Sequence, residues 1–287
     1  MSIPQASDPL AFKAAVREQW DKSAAGWNDH APEIRAWLGP ATGAMMDMAG
    51  IAAGFRVLDV AAGAGDQTLD LAQRVGPAGF VLATDLSPAI LALAQSNAAR
   101  SGYSNVRTQV ADGESLSIDS ASFDAAVCRL GLMFFPDPLR GLREMHRAVR
   151  PGGGVCTMVF SEPVKNPCVT ILMSTALKHA GLPPRDPWQP GGLLSLGKPG
   201  LADELLRNAG FAHVTSTVID APFRLRSARH YLDFVRSSAS PIQQILGRLD
   251  AAAAEAAWTE MEERLSAYTT ASGWEGPNEL LLTAGRR

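Results

Sequence analysis

The residues with the most to offer chemically stand close together in the first quarter of the chain. Asp59-Val60-Ala61-Ala62-Gly63-Ala64-Gly65-Asp66-Gln67-Thr68 follows the short apolar run Arg56-Val57-Leu58 and leads into a helical pattern that reaches about Arg74. Glycines at a strand-to-helix junction let the backbone turn sharply and come close to a bound molecule. A dinucleotide fingerprint has a third glycine three places after the second, but here that place is taken by Thr68. Asp59 and Asp66 bracket the loop, and a doubly anionic pyrophosphate would be repelled by both. The loop therefore favours a ligand that is nucleoside-like but cationic.

Two more carboxylates end strand-like runs. Asp85 closes Val81-Leu82-Ala83-Thr84-Asp85, twenty residues after Gly65, where an acidic residue accepts hydrogen bonds from ribose hydroxyls. Asp85 also reads as a helix N-cap, but Ser87, just before Pro88, is the better cap. Ala111-Asp112-Gly113 follows a third strand-like run. Its carboxylate suits an adenine amine and its glycine permits close approach, although Asp-Gly is also a common surface turn. S-adenosylmethionine, with a sulfonium, an ammonium, a ribose, an adenine and no phosphate, meets all three features. NAD and FAD do not.

Elements at regular intervals position these groups. Strands are expected at 56–60, 80–85, 106–110, 123–128 and 155–160, with helices between them over about 66–74, from Pro88 through Ile90, Leu91, Ala94 and Ala98, and around 139–149. Nearly all-apolar strands alternating with helices predict an α/β fold whose parallel sheet is covered on both faces. Before the first strand, Val16, Trp20, Ala24 and Trp27 fall at helical spacing, and a second helical stretch covers about Thr42 to Ala49. From 161 to 200 the chain is rich in proline and glycine around one helical patch, 169–179, and is expected to act as a lid. Helix 201–209, strand 214–219, helical patterns at about 228–235 and 243–268, and a closing strand 279–284 complete the chain.

Composition narrows the class. The 287 residues are 46% hydrophobic and 19% charged, with a net charge of −3 and no basic run. Such a chain can bury a large core and does not suit nucleic acid or an acidic membrane surface as its main partner. Cys128, Cys156 and Cys168 form no metal-ligand spacing. A polar N-terminus without a signal pattern, and apolar runs far below the ~20 residues of a membrane helix, predict a cytoplasmic protein without an integral membrane segment.

Taken together, Val57 to Asp66, Ala83-Thr84-Asp85-Leu86-Ser87, Asp112 to Leu116, Ser122-Phe123-Asp124 and Leu142 to Gly153 resemble class I S-adenosylmethionine-dependent methyltransferases, and most of all the ubiquinone/menaquinone-biosynthesis type. The resemblance spans about residues 50 to 160. It implies a Rossmann-like seven-stranded sheet, mostly parallel with an antiparallel last strand. It divides the chain into an N-terminal helical cap, 1–50, and a methyltransferase domain, 51–287, with a lid or substrate insertion at 161–200. It also implies S-adenosyl-L-methionine as cofactor. Asp59, Ala61, Gly63, Gly65 and Thr68 would lie at its methionine part, Asp85 and Leu86 at the ribose, Asp112 and Gly113 at the adenine, and Arg129 beside it at the end of strand four. Ala61 stands where the family often has glycine.

The expected activity is methyl transfer to a small, apolar or aromatic acceptor at carbon or oxygen. The alternatives are a regulatory subunit that binds the cofactor without transferring methyl, and a different reaction with the same cofactor. No residue is forced to be catalytic, because a base is needed only if the acceptor must lose a proton. His30 is the best-placed candidate base, against a plainer reading as a surface or capping histidine. His146, His179, His213 and His230 show no ligand spacing, so no metal site is expected.

Overall fold

A computed structural model describes residues 8–238 and 240–287. Two helices come first, α1 (Pro9–Asp29) and α2 (Ala31–Met48). Asp8 caps α1 by accepting from Leu10 and Ala11 N–H. Helix α2 starts eleven residues earlier than the apolar spacing indicates and runs through Pro40. Its inner face, Ile34, Leu38, Ala41 and Met45, is fully buried, and that packing offsets the hydrogen bond lost at the proline.

The alternating part follows: β1 (Arg56–Val60), α3 (Asp66–Val75), β2 (Phe80–Asp85), α4 (Pro88–Arg100), β3 (Val106–Val110), β4 (Phe123–Arg129), α5 (Pro138–Ala148) and β5 (Val149–Phe160). Ser87 caps α4 through Ile90 N–H, as its place before Pro88 predicts. Strand β5 begins at Val149 rather than Val155; Gly153 packs there against Val149 and the Asp124 carbonyl, where a Cβ would lie 2.4–2.5 Å from its neighbours. Glu144 and Arg147 on α5 tie down the loop after β3, with Glu144 accepting from Leu116 N–H and Arg147 donating to the Leu116 and Ile118 carbonyls.

Then come α6 (Pro167–His179), α7 (Leu201–Asn208), β6 (Ala212–Asp220), β7 (Phe223–Leu225), α8 (Ala228–Ser238), α9 (Ser240–Leu246), α10 (Ala251–Leu265), β8 (Thr269–Thr270), β9 (Gly273–Gly276) and β10 (Glu279–Arg286). The main sheet has seven strands in the order β3-β2-β1-β4-β5-β10-β6. Only β10 runs antiparallel, between β5 and β6. This is the mostly parallel Rossmann-like sheet with an antiparallel last strand.

One part of the chain departs from the expected plan. Between β6 and β10, where a short connection would suffice, residues 221–278 build a small sheet of order β7-β9-β8 with α8, α9 and α10 around it. The helical pattern at 243–268 is broken by Gly247 to Asp250 into α9 and α10, and Asp250 caps the second through Ala253 N–H. The core is continuous from the sheet into this insertion and includes Phe223, Leu232, Met261, Leu265 and Trp274. Among the described residues no helix is long and apolar enough to cross a membrane.

Candidate active site

The strand order reverses direction between β1 and β4, and in open α/β sheets ligands bind at such a point, beyond the carboxyl ends of the strands. Both strands end there in strained backbone. Ala61 has φ +55° and Leu130 also has φ +55°, a left-handed conformation that costs an L-residue about 1–2 kcal/mol. The conformation explains why glycine suits position 61. Gly131 makes room for the alanine, since a Cβ there would lie 2.3 Å from the Ala61 Cβ.

A cavity with about 920 Å³ of open space sits at these strand ends. Of the sequence-predicted site residues, Ala61, Gly63, Asp85, Leu86, Asp112, Gly113 and Arg129 line it. Asp59, Gly65 and Thr68 lie behind the wall. Asp59 is fully buried and accepts hydrogen bonds from Thr68 Oγ1 (2.6 Å) and Gln67 Nε2 (3.1 Å). Gly65, at φ +85°, lets α3 pack on α4, where a Cβ would meet the Ala94 Cβ at 2.9 Å. These three shape the loop from beneath.

Asp85 holds the loop as well as facing the cavity. Its carboxylate accepts from Gly63 N–H and Ser87 N–H, each at 2.9 Å. Burial pushes its pKa up despite these bonds. At the other end, Asp112 accepts from Glu114 N–H, and Lys13 of α1 reaches over to bond Asp112 and Glu114, both at 2.6 Å. Lys13 had no signal in the sequence, because only the fold brings α1 against this loop, and Glu114 stood inside a quoted motif without being singled out.

The charge argument from the loop needs correction. Asp66 does not face a ligand as a bare anion: it pairs with Arg129 (2.9 Å) and Arg35 (3.2 Å). Asp59 is buried beneath the loop and does not line the cavity. The lining carboxylates are instead Asp85, Asp112 and Glu114; Lys13 offsets one charge of the Asp112–Glu114 pair, and Arg129 is matched by Asp66, so carboxylates remain in excess where a pyrophosphate would lie.

Burial raises the Asp59 pKa to about 6, more than its hydrogen bonds from Thr68 and Gln67 and the nearby Arg129 charge lower it. A raised carboxyl pKa contributes stability at low pH that is lost as pH rises through the folded value. Stability of the ligand-free protein is therefore expected to fall between about pH 4 and pH 7, by on the order of 2–3 kcal/mol from this group. Urea unfolding across that range, compared with Asp59→Asn, measures it; equal slopes for both proteins would remove Asp59 as the source.

A second cavity, with about 990 Å³ of open space, adjoins the first. Trp20, Trp27, Leu130 and Phe134 line both and form the partition. Trp20 meets Trp27 edge-on at 5.7 Å and Phe134 at 5.8 Å. Helices α1 and α2 supply Trp20, Trp27 and Trp37; the 161–200 stretch supplies Cys168, Val169, Leu172, Met173 and Leu193; the 221–278 insertion supplies Phe223, Tyr231, Phe234 and Trp274. Among the described residues no Asp, Glu, Lys, Arg or His side chain lines this chamber. His30 lines neither cavity; it joins α1 to α2 and sits edge-on to Phe234 at 5.2 Å. All three cysteines are buried and free, and among the described residues no cluster suits a metal ion.

These features carry a family signature. Residues 37–176 match the ubiE/COQ5 methyltransferase family. The ubiquinone/menaquinone biosynthesis C-methyltransferase UbiE of Hahella chejuensis is 36% identical over 126 residues, covering 44% of this chain and 50% of that protein. The chain thus spans about half the length of the UbiE relatives it matches. Among solved structures, the [4+2]-cyclase SpnF superposes with a TM-score of 0.60 at 23% identity, covering 100% of this chain and 98% of that one. The YcgJ protein of Bacillus subtilis gives 0.57 at 19% identity, covering 87% and 99%. Both are likenesses of fold.

The matched stretch contains β1 to β5 and the whole glycine loop, so most of the first cavity's wall lies within it. The chamber is different. Its Trp20 and Trp27 precede the matched stretch, and Leu193, Phe223, Tyr231, Phe234 and Trp274 follow it.

Proposed function

We propose that the chain binds S-adenosylmethionine in the first cavity and transfers a methyl group, to carbon or oxygen, onto a small apolar or aromatic acceptor held in the chamber. The observation that carries this reading is the shared partition of Trp20, Trp27, Leu130 and Phe134 between a polar cavity and an apolar one. The cavity residues suit the donor. Gly63 leaves its backbone open, with no atom within 3.8 Å of where a Cβ would stand. Asp85 suits ribose hydroxyls, Asp112 the adenine amine, and Arg129 has N–H groups beyond those it gives Thr42 and Asp66 for a carboxylate. The donor, when bound, supplies an electrophilic methyl on a sulfonium.

What the chain contributes is position and dryness. Holding a nucleophile in line at about 3–3.5 Å accounts for much of the acceleration of such a step. A chamber without ionised side chains strengthens the attraction between nucleophile and sulfonium by excluding water. Cys168 is no base or nucleophile there, since burial pushes its thiol up to about 12.

The test is release of S-adenosylhomocysteine with quinol, phenol and lipid acceptors. The biosynthetic role in the name of the Hahella relative makes a quinol the first to try. Calorimetry should show donor binding with negligible NAD binding; equal affinities would sink the cofactor assignment. Tight donor binding with no release from any acceptor would favour the regulatory reading. Substrate choice then rests on the N-terminal helices, the 161–200 stretch and the 221–278 insertion. If the stretch closes over the acceptor, protease should cut 180–200 more slowly when donor and acceptor are both bound; equal rates would mean an open acceptor site.

A further inference from the structure

Several polar groups of the chamber are already engaged, while the Trp20 and Trp27 indoles stand at the partition shared with the first cavity. Asn278 accepts from Trp37 Nε1 and donates to Asn166, and Ser238 donates to the Phe234 carbonyl. Gln19 accepts from Gln244. Tyr231 differs. Its ring is fixed on three sides, stacked on Trp274 at 4.8 Å and set against Phe223 at 5.5 Å and Phe234 at 6.5 Å. Its hydroxyl makes no hydrogen bond among the described residues, although the residue is only 8% exposed.

A hydroxyl left unpaired in an apolar surrounding is unfavourable, and buried polar groups in folded proteins are almost always satisfied. Among the described residues the one fully occluded side-chain polar atom without a partner is His230 Nδ1. The Tyr231 hydroxyl therefore keeps access to empty space, and the space Tyr231 lines is the chamber. We propose that the Tyr231 hydroxyl is a ligand-reading hydrogen-bond donor of the chamber, and that the chamber takes an uncharged apolar molecule carrying a carbonyl or phenolic oxygen.

The surroundings define the ligand's chemistry. With no ionised side chain in the wall, a carboxylate, phosphate or ammonium would lose its hydration without a compensating partner. The aromatic side chains of the wall favour a flat ring. Burial drives the phenol pKa upward, so the group stays protonated and donates rather than acting as a base. Only the description of this ligand as the methyl acceptor rests on the function proposed above.

The experiment uses binding alone, with no donor present. Ligand-detected NMR and calorimetry compare α-tetralone, tetralin and tetralin carboxylate, three bicycles of similar size that present a carbonyl, no oxygen and a charge. The wild-type chain should favour the ketone over the hydrocarbon roughly three- to tenfold, the range of one neutral hydrogen bond, and should not take up the carboxylate. Tyr231→Phe keeps the ring and its stack on Trp274, so it should fold with an unfolding midpoint no lower than wild type. In that variant the ketone preference should fall to about one. A preference that survives in Tyr231→Phe, a carboxylate that binds as well as the ketone, or no ketone binding up to its solubility limit would each overturn the proposal. Met173→Trp, which fills the chamber from its half-exposed side, should abolish binding of all three. Failure of the S-adenosylhomocysteine-release assay with a preserved ketone preference would remove the methyl-transfer reading and leave this one standing.

Discussion

Arg129→Met is expected to destabilise the protein by about 3–5 kcal/mol, the usual cost of removing one partner of a buried ion pair. The Arg129 side chain is 3% exposed; it donates to Thr42 Oγ1 on α2 and to Asp66 at the start of α3, both at 2.9 Å. Without it Asp66 retains only Arg35, which is 47% exposed and therefore screened by solvent. Because that partner remains, though screened, the loss should stay within the range rather than exceed it. Urea unfolding of Arg129→Met, Asp66→Asn and the double variant measures it. The double variant should be markedly more stable than the two single losses added together, because it removes the stranded charge. Strict additivity would show that the pair is not coupled. Donor affinity should fall as well, since the same guanidinium lines the cofactor cavity.

Asp85→Asn is expected to lower affinity for S-adenosylhomocysteine roughly ten- to a hundredfold, the worth of charge-assisted hydrogen bonds of about 1.5–3 kcal/mol. The side chain has two duties. One, in the function proposed, is to accept from the ribose hydroxyls; the other is to hold Gly63 and Ser87 through their N–H groups. Asparagine has a single acceptor oxygen, so its NH2 group must face one of those backbone donors. Calorimetry on the folded variant reads the loss. Undiminished affinity would mean that the ribose is held elsewhere.

Both variants touch residues that the sequence singled out, but with different roles. Asp85 ends a strand that is apolar from Val81 to Ala83, so its place at the sheet edge follows from local pattern alone. Arg129 follows from pattern only as far as its position at the end of β4. Its ion pair with Asp66 and its bond to Thr42 join residues 63 and 87 positions apart, and no local rule predicts such pairs.

The alternating core, the glycine loop and the cap at Ser87 were set by the sequence itself. Each depends on periods of two or 3.6 residues, on turn chemistry, or on a motif shorter than ten residues. The tertiary structure alone decided three things. It neutralised Asp66 with Arg129 and Arg35, which moved the source of the cavity's negative charge to Asp85, Asp112 and Glu114. It laid Lys13 across Asp112 and Glu114, with the Asp112 contact spanning 99 positions. It also folded 221–278 over the sheet edge as the far wall of an apolar chamber. The aromatic residues of that insertion read locally as ordinary core, because a side chain facing an empty chamber and one packed in a core obey the same hydrophobic pattern. Only the direction of packing separates them, and direction is fixed by contacts between elements far apart in the chain.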